Sequence, residues 1–493
     1  MIRLLSRRKS KPALDRWDPS ATLLEWTAGA PWSIGDSFMG VMGFGSTGSG
    51  KTSGSMAAIS LAMLRAGYGG LYLTVKPEDR QTYTDHVRAA GRLDDLMVFS
   101  PDHLLRYNFI ADEMAHAKSP AGLIENLTAL IMTTTELAER GGRSSSGGDN
   151  ERYFRLESSR LARNALLVLV FSGEPVTLPN LHRLIVSAPR SIEQIQSGEW
   201  RNTFCGECLE KTDAAEKLPS QRADFDLALS YFLHEWPALS SRTRSVVQST
   251  LTSATDMLSR GAARDMLSSP KPNVSPSMMY EGKIIIADFP VLVYREIGQL
   301  VQIVLKLMWQ RAHARRDTTK NARPTFIMAD EAQMLLVEED QRFQAIARST
   351  RTACIFATQS VSGLVEALGG PSAEPKVHSL LTNLQTRICH QQTDVRTVEY
   401  MQQLIGRSRQ LVMNGNQDRD ANWLAPLFGV DTGQSSGFSE SWEHELQAAD
   451  INGLARGGPP HCVTEAIVYQ GGRAFPNGHT WIRARIPQEP RRA

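Results

Sequence analysis

The sequence predicts an α/β protein with a mostly parallel sheet, interrupted by an all-helical insertion. Three observations carry that reading. Short apolar runs alternate with helix-length patterns on both sides of a long middle stretch. A glycine-rich loop near residue 45 stands between a strand pattern and a helix pattern. Residues 111–269 hold helical periodicity and no strong strand run.

Taken in order, the spacing predicts strands over 37–44, 70–75 and 96–100, with helices over 53–65 and 83–91 between them. The middle stretch reads as helices over 122–139, 152–171, 192–196, 222–236 and 243–266, with a flexible Gly/Ser loop over 140–148. Strand patterns resume at 283–290, 325–330, 353–358 and 387–390, with helices over 297–316, 341–350 and 395–405. Residues 434–437 read as a linker, and 462–470 as a last strand returning to the sheet. The expected units are a basic N-terminal arm (1–36), an ATPase unit in two pieces (37–110 and 275–425), an all-α insertion (111–274) and a C-terminal segment (426–493).

The 493 residues are 41% hydrophobic and 22% charged, a soluble globular composition rather than a disordered one. A net charge of +2 announces no global basic field, so any nucleic-acid surface would be local. Five unevenly spaced cysteines suit a reduced, cytoplasmic protein rather than a disulfide scaffold. No apolar run reaches the ~18–20 residues of a membrane helix. The basic start, Met1 to Lys11, lacks the apolar core of a secretory signal and reads as a solubilising terminus, with peripheral contact to acidic lipid as the alternative.

Gly45-Ser46-Thr47-Gly48-Ser49-Gly50-Lys51-Thr52 satisfies the GxxxxGK[ST] pattern. Its glycines let backbone N–H groups turn inward around phosphate oxygens, at the positive end of a helix. Lys51 reaches the outer phosphates, and Thr52 offers a hydroxyl to Mg²⁺. The apolar strand ending at Asp330-Glu331 places one carboxylate for the metal shell and a second to polarise water. Gln359, at the end of the 353–358 strand, stands where a RecA-like P-loop sheet puts a polar sensor of the γ-phosphate. The site therefore expects ATP with Mg²⁺, and the acidic pair argues for hydrolysis. Arg348 and Arg351 follow one helix later; an arginine there is placed to enter a neighbouring subunit's site, and is otherwise an ordinary solvated helix end.

The ordered set of motifs resembles the HerA/FtsK superfamily, and within it the TraG/TraD-type coupling proteins of conjugation and type IV secretion. Gly45 to Thr52 and Ala329-Asp330-Glu331 match its nucleotide motifs, and Val75-Lys76-Pro77-Glu78-Asp79 falls where the family has a Lys-Gly-Glu-like segment. The strand before Asp288, the Arg348…Gln359 spacing and Asn383 to Ile388 are also similar. The resemblance implies a hexameric ring with ATP sites between subunits, a channel for DNA, partners in the transfer machinery, and Arg348 as the residue entering the neighbour's site. Two departures stand out. The membrane helices usual in such proteins are missing here, and Thr74 replaces a commonly acidic residue, which leaves Lys76 without an assigned role. An ATPase handling protein cargo, a soluble motor in defence or packaging, and an ATP-gated scaffold are the alternatives.

Other groupings carry less. Cys205 and Cys208 form half of a zinc site with no second pair nearby. Cys389-His390 and His461-Cys462 read as core and turn residues. Trp17, Trp26 and Trp32 are expected to dock the N-terminal arm onto the body, and Arg311, Arg315 and Arg316 to form a solvated helix end.

Overall fold

The computed structural model describes residues 16–116, 120–140, 149–416 and 435–488. A short antiparallel pair, β1 (Thr22–Glu25) and β2 (Pro31–Ser33), precedes the main sheet. Seven strands then pair in parallel: β3 (Val41–Phe44), β4 (Gly69–Leu73), β5 (Leu96–Phe99), β6 (Ile284–Ala287), β7 (Thr325–Ala329), β8 (Thr352–Thr358) and β9 (Thr386–His390). β10 (Arg407–Asn416) and β11 (Ser435–His444) form a separate antiparallel ribbon. β12 (Val463–Gln470) adds antiparallel to β9, and β13 (Trp481–Pro487) antiparallel to β12. The order across the nine-stranded sheet is β13-β12-β9-β3-β8-β7-β4-β6-β5.

The central strands are apolar and buried on both faces, as a helix-covered parallel sheet requires. Their alternation divides the interior in two. Phe44, Leu71, Leu73, Ile285 and Ile327 face one core, and Val41, Tyr72, Ile286, Phe326 and Ile355 the other. The first core runs on into the helices between β5 and β6 through Leu161, Leu166, Val247 and Trp236. Helices Pro120–Arg140, Asp149–Phe171 and Ser241–Leu258 are the longest of that helical region among the described residues.

The structure differs from the expectations in several places. Residues 34–37 form a helical turn, because Ser33 and Asp36 cap each other's backbone in a capping box. The pattern over 222–236 breaks near Ser230 into one π-type turn, and 243–266 divides at Arg260 and Gly261. Helices Leu178–Ser187 and Phe204–Ala214 were not expected; both start at a threonine cap, a signal present in the sequence. Ser435 to Gly437 belong to β11 rather than to a linker, while Gln434 and residues 141–148 of the expected loop lie outside the described residues. The C-terminal segment returns two strands, and both are antiparallel. Arg311 and Arg315 are no solvated face: both reach the buried Glu113, at 3.7 and 2.8 Å. The basic start, Met1 to Lys11, lies outside the described residues, but the tryptophans after it dock as expected. Trp17 Nε1 donates to Ala66 O at 3.0 Å, Trp32 is fully buried, and Trp26 packs on Trp32. Among the described residues no helix is long and apolar enough to cross a membrane.

Candidate nucleotide site

Strand order builds the site. β8 lies between β3 and β7, with Phe44 opposite Thr358 and Ala329 opposite Phe356. The segments leaving these three strands therefore emerge side by side at one edge of the sheet: Gly45 to Thr52, Asp330-Glu331 and Gln359. Ligands of open parallel sheets bind at that edge.

The loop over 45–52 wraps a cavity of about 570 Å³. Gly48 and Gly50 have φ of 74° and 83°, a left-handed conformation that glycine takes without strain. A Cβ on Gly50 would lie 2.6 Å from Thr464 Oγ1, so that position has no room for a side chain either. The helix after the loop opens with one π-type turn, Thr52–Met56, before Ala57–Arg65 continues as α-helix.

Lys51 is nearly buried, its Nζ 3.0 Å from Asp330 Oδ1 and 3.9 Å from Glu331 Oε1. Thr52 Oγ1 donates to Asp330 Oδ2. Glu331 adopts φ 52°, a left-handed conformation uncommon outside glycine and enriched at functional sites. Its carboxylate accepts from Gln333 Nε2 at 2.9 Å and from Gln359 Nε2 at 3.4 Å, and pairs with Lys76 Nζ at 2.9 Å. Burial pushes Asp330 upward, but Lys51 and the Thr52 hydroxyl outweigh it and hold the carboxyl below its ordinary range. Glu331 follows the same balance, with Lys51, Gln333 and Lys76 prevailing over burial. Both acids are thus ionised, one beside the hydroxyl and ammonium of the loop, the other facing the cavity.

The donor set fits a nucleotide with a divalent metal. A hydroxyl (Thr52) and a carboxylate (Asp330) lie together as hard oxygen ligands, and an ammonium held only by carboxylates waits at the loop. Ser49 Oγ is buried in the loop without a hydrogen-bond partner.

Sequence reasoning left Lys76 without a role because Thr74 is not acidic. In the structure Thr74 works elsewhere: its N–H donates to Gln302 Oε1 at 2.7 Å and its hydroxyl to Ala287 O at 2.9 Å. Lys76 reaches Glu331 without it, on a turn held by Asp79 Oδ2, which accepts from the N–H groups of Val75 and Lys76 at 2.7 and 2.8 Å. Arg456 to Pro459, Cys462 and Gln488 also line the cavity, and none was singled out for it. Arg348 lies just before the start of β8, at the sheet edge opposite Gln359, exposed and without a side-chain partner among the described residues. Arg351 is engaged within its own chain: it donates to Trp17 O and lies 5.8 Å from the Phe38 ring. Cys205 and Cys208 are buried on the helix Phe204–Ala214, and among the described residues no three His, Cys, Asp or Glu side chains group as metal ligands.

The fold and these motifs define a RecA-like P-loop protein. A family model described as the TraM recognition site of TraD and TraG matches residues 324–454. Among solved structures, bacterial conjugative coupling protein TrwBdeltaN70 in a trigonal form with sulphate shares the fold at a TM-score of 0.56 and 15% identity, over 99% of this chain and 91% of that one. Plasmid coupling protein TrwB in complex with ADP and Mg²⁺ does so at 0.54 and 13%, over 99% and 91%. Its complex with a non-hydrolysable ATP analogue gives 0.54 and 15%, over the same shares. No curated protein sequence matches the chain.

Proposed function

We propose that the chain is an ATP-hydrolysing coupling ATPase that moves DNA, or DNA with bound protein, in conjugative transfer or type IV secretion. The observation that carries the reading is the convergence of Lys51, Thr52, Asp330, Glu331 and Gln359 at one sheet edge, in a chain whose residues 324–454 match the TraG/TraD model. In this reading residues 37–110 and 275–425 form the motor, 111–274 the helical insertion, 1–36 the N-terminal arm, and 426–493 the C-terminal segment.

Gly45, Ser46, Thr47, Gly48, Ser49 and Gly50 hold the phosphates through backbone N–H groups. Thr52, backed by Asp330, would hold Mg²⁺, which would supply charge neutralisation at the phosphates. Lys51 exchanges its carboxylate partners for the outer phosphates. Glu331, ionised and facing the cavity, accepts a proton from the attacking water. Gln359 donates to the γ-phosphate and reports its loss along β8. Arg348, remote from its own site, completes the site of the next subunit in a hexameric ring. The protein works in the cytoplasm, at the inner face of the membrane, with transfer-machinery proteins as partners.

Steady-state ATPase rates without DNA, with single strands and with duplex test this reading, alongside Lys51→Ala. Several-fold stimulation by DNA that disappears in Lys51→Ala is expected. Turnover indifferent to DNA but raised by a partner protein would transfer the reading to protein cargo.

A further inference from the structure

The cavity has two unlike ends. One carries Lys76, Glu331 and Gln359, the groups suited to a terminal phosphate. The other is built from the far end of the chain, by Arg456, Gly457, Gly458, Pro459, Cys462 and Gln488. We infer that this second wall is the nucleoside seat, in which the base and ribose of the bound nucleotide lie against residues 456–462 with the Arg456 guanidinium over the base. The inference deepens the ATPase reading and rests on it.

Direction comes first. Lys51 and Thr52 serve the outer phosphates, and Glu331 with Gln359 marks where the last one must lie. The phosphate chain then runs away from that end, and its nucleoside arrives at the C-terminal wall. The wall is also tied to the phosphate loop before any ligand enters. Thr464 Oγ1 donates to Ser49 O at 2.9 Å, and Gln488 Nε2 to Ser53 Oγ at 2.7 Å. The other end of the Gln488 amide accepts from Gly458 N at 2.6 Å, and Cys462 N donates to Gly458 O at 2.8 Å. Such bonds hold the segment in place, so little ordering cost falls on binding.

The chemistry suits a base. Arg456 is exposed and has no partner among the described residues, so its planar cation is free to lie on an aromatic ring. Gly457 and Gly458 have φ of 84° and 86°, and a Cβ on Gly457 would press into the Gln488 side chain at 2.3 Å. Bare backbone therefore faces the cavity beside the guanidinium. Cys462 offers a probe: it is the partly exposed cysteine of the wall, whereas Cys205, Cys208, Cys354 and Cys389 are buried.

The test measures alkylation of Cys462 by N-ethylmaleimide in the full chain, with ATP and Mg²⁺, with ADP, and with inorganic tripolyphosphate. Both nucleotides should slow alkylation at least about tenfold. Tripolyphosphate fills the phosphate end without a nucleoside and should leave the rate near that of the free protein. Arg456→Ala, a surface change remote from the core, should weaken ATP binding about five-fold while leaving tripolyphosphate affinity unchanged. ATP that binds by calorimetry yet leaves Cys462 fully reactive would overturn the seat and spare the ATPase reading. Equal losses for ATP and tripolyphosphate in Arg456→Ala would do the same. No ATP binding at all would remove both.

Discussion

Among the described residues two lysine–aspartate pairs are buried, and what surrounds them differs. Lys306 and Asp340 join the helices Val291–Ala314 and Glu338–Ala347 with both side chains almost fully enclosed. The charges of the pair are answered from within the fold. Lys306 Nζ also donates to Leu335 O, and Asp340 accepts from Gln310 Nε2 at 2.6 Å and from Val337 N at 2.8 Å. Lys51 and Asp330 are nearly as buried, but Lys51 and the adjoining Glu331 line an open cavity, with Ser49 Oγ unanswered beside them. Taking a charge from water is costly in either place and needs a partner. In the first pair that partner is permanent. In the second, on the proposed reading, the carboxylates hold the lysine in position until phosphate replaces them.

The largest expected effects test this contrast from both sides. Lys51→Ala should lower ATP turnover by about a thousandfold or more and leave the fold intact, with a smaller stability loss than at Lys306, because Asp330 keeps Thr52 and the truncated lysine opens its place to the cavity. Lys306→Met should do the reverse. It strands a buried carboxylate and should cost about 3–5 kcal/mol in denaturant unfolding, with turnover per folded molecule intact. Adding Asp340→Leu should recover most of that loss. Should Lys306→Met abolish turnover at unchanged stability, the two pairs would not divide into site and scaffold at all. Glu331→Gln sharpens the site side: ATP binding persists while turnover falls about a hundredfold or more.

The two ends of β8 offer a second contrast. Gln359 lies in the cavity, and Arg348 lies beyond the opposite end of the strand, so within one chain the two cannot share a nucleotide. As the residue entering a neighbour's site, Arg348 should leave ATP affinity unchanged on replacement by alanine and lower kcat about a hundredfold. Mixing Arg348→Ala with Lys51→Ala should then restore part of the activity, since each subunit supplies what the other lacks. A mixture no more active than its components, or an Arg348→Ala protein at the parent rate, removes the arginine from catalysis.

The motifs that chemistry restricts to a few residue types were legible. Gly45 to Thr52, Asp330-Glu331 and Gln359 each follow a buried apolar strand, and a local pattern sufficed to find them. What escaped was non-local. Thr464 and Gln488 resemble any polar residues until β12 returns beside β9 and lays them against the loop. Lys76 was obscured by comparison with an acid expected at Thr74, although its contact with Glu331 depends on the turn that Asp79 holds. β13 did carry a signal that went unread: Ile482, Ala484 and Ile486 are buried, and Arg483 and Arg485 alternate outward. By local position Arg348 and Arg351 were alike in sequence and the family resemblance alone chose Arg348; in the structure Trp17 and Phe38 engage Arg351.

The smallest expected effect concerns the floor of the loop. His390 Nε2 lies 2.8 Å from Ser55 Oγ and Nδ1 3.3 Å from Thr464 Oγ1, joining β9 and β12 to the helix after the loop. Burial first, and the charge of Lys51 second, hold the imidazole pKa down to about 3, from an ordinary 6.5. The unfolded chain therefore takes up this proton first, and acid favours unfolding. The stability His390 contributes is complete above pH 6.5 and is lost as pH falls toward 3, on the order of 2 kcal/mol by pH 5. Asp79 acts in the opposite sense. Burial pushes its carboxyl up to about 6, so its native form takes a proton before the unfolded one does as pH falls. The difference between parent and His390→Gln isolates the imidazole from that opposing contribution. Between pH 7.5 and pH 5 the parent should lose about 1–2 kcal/mol more than the variant in urea unfolding. Parallel curves would mean that the imidazole binds its proton equally well in the folded and unfolded chain, and that burial beneath the phosphate loop does not hold it neutral.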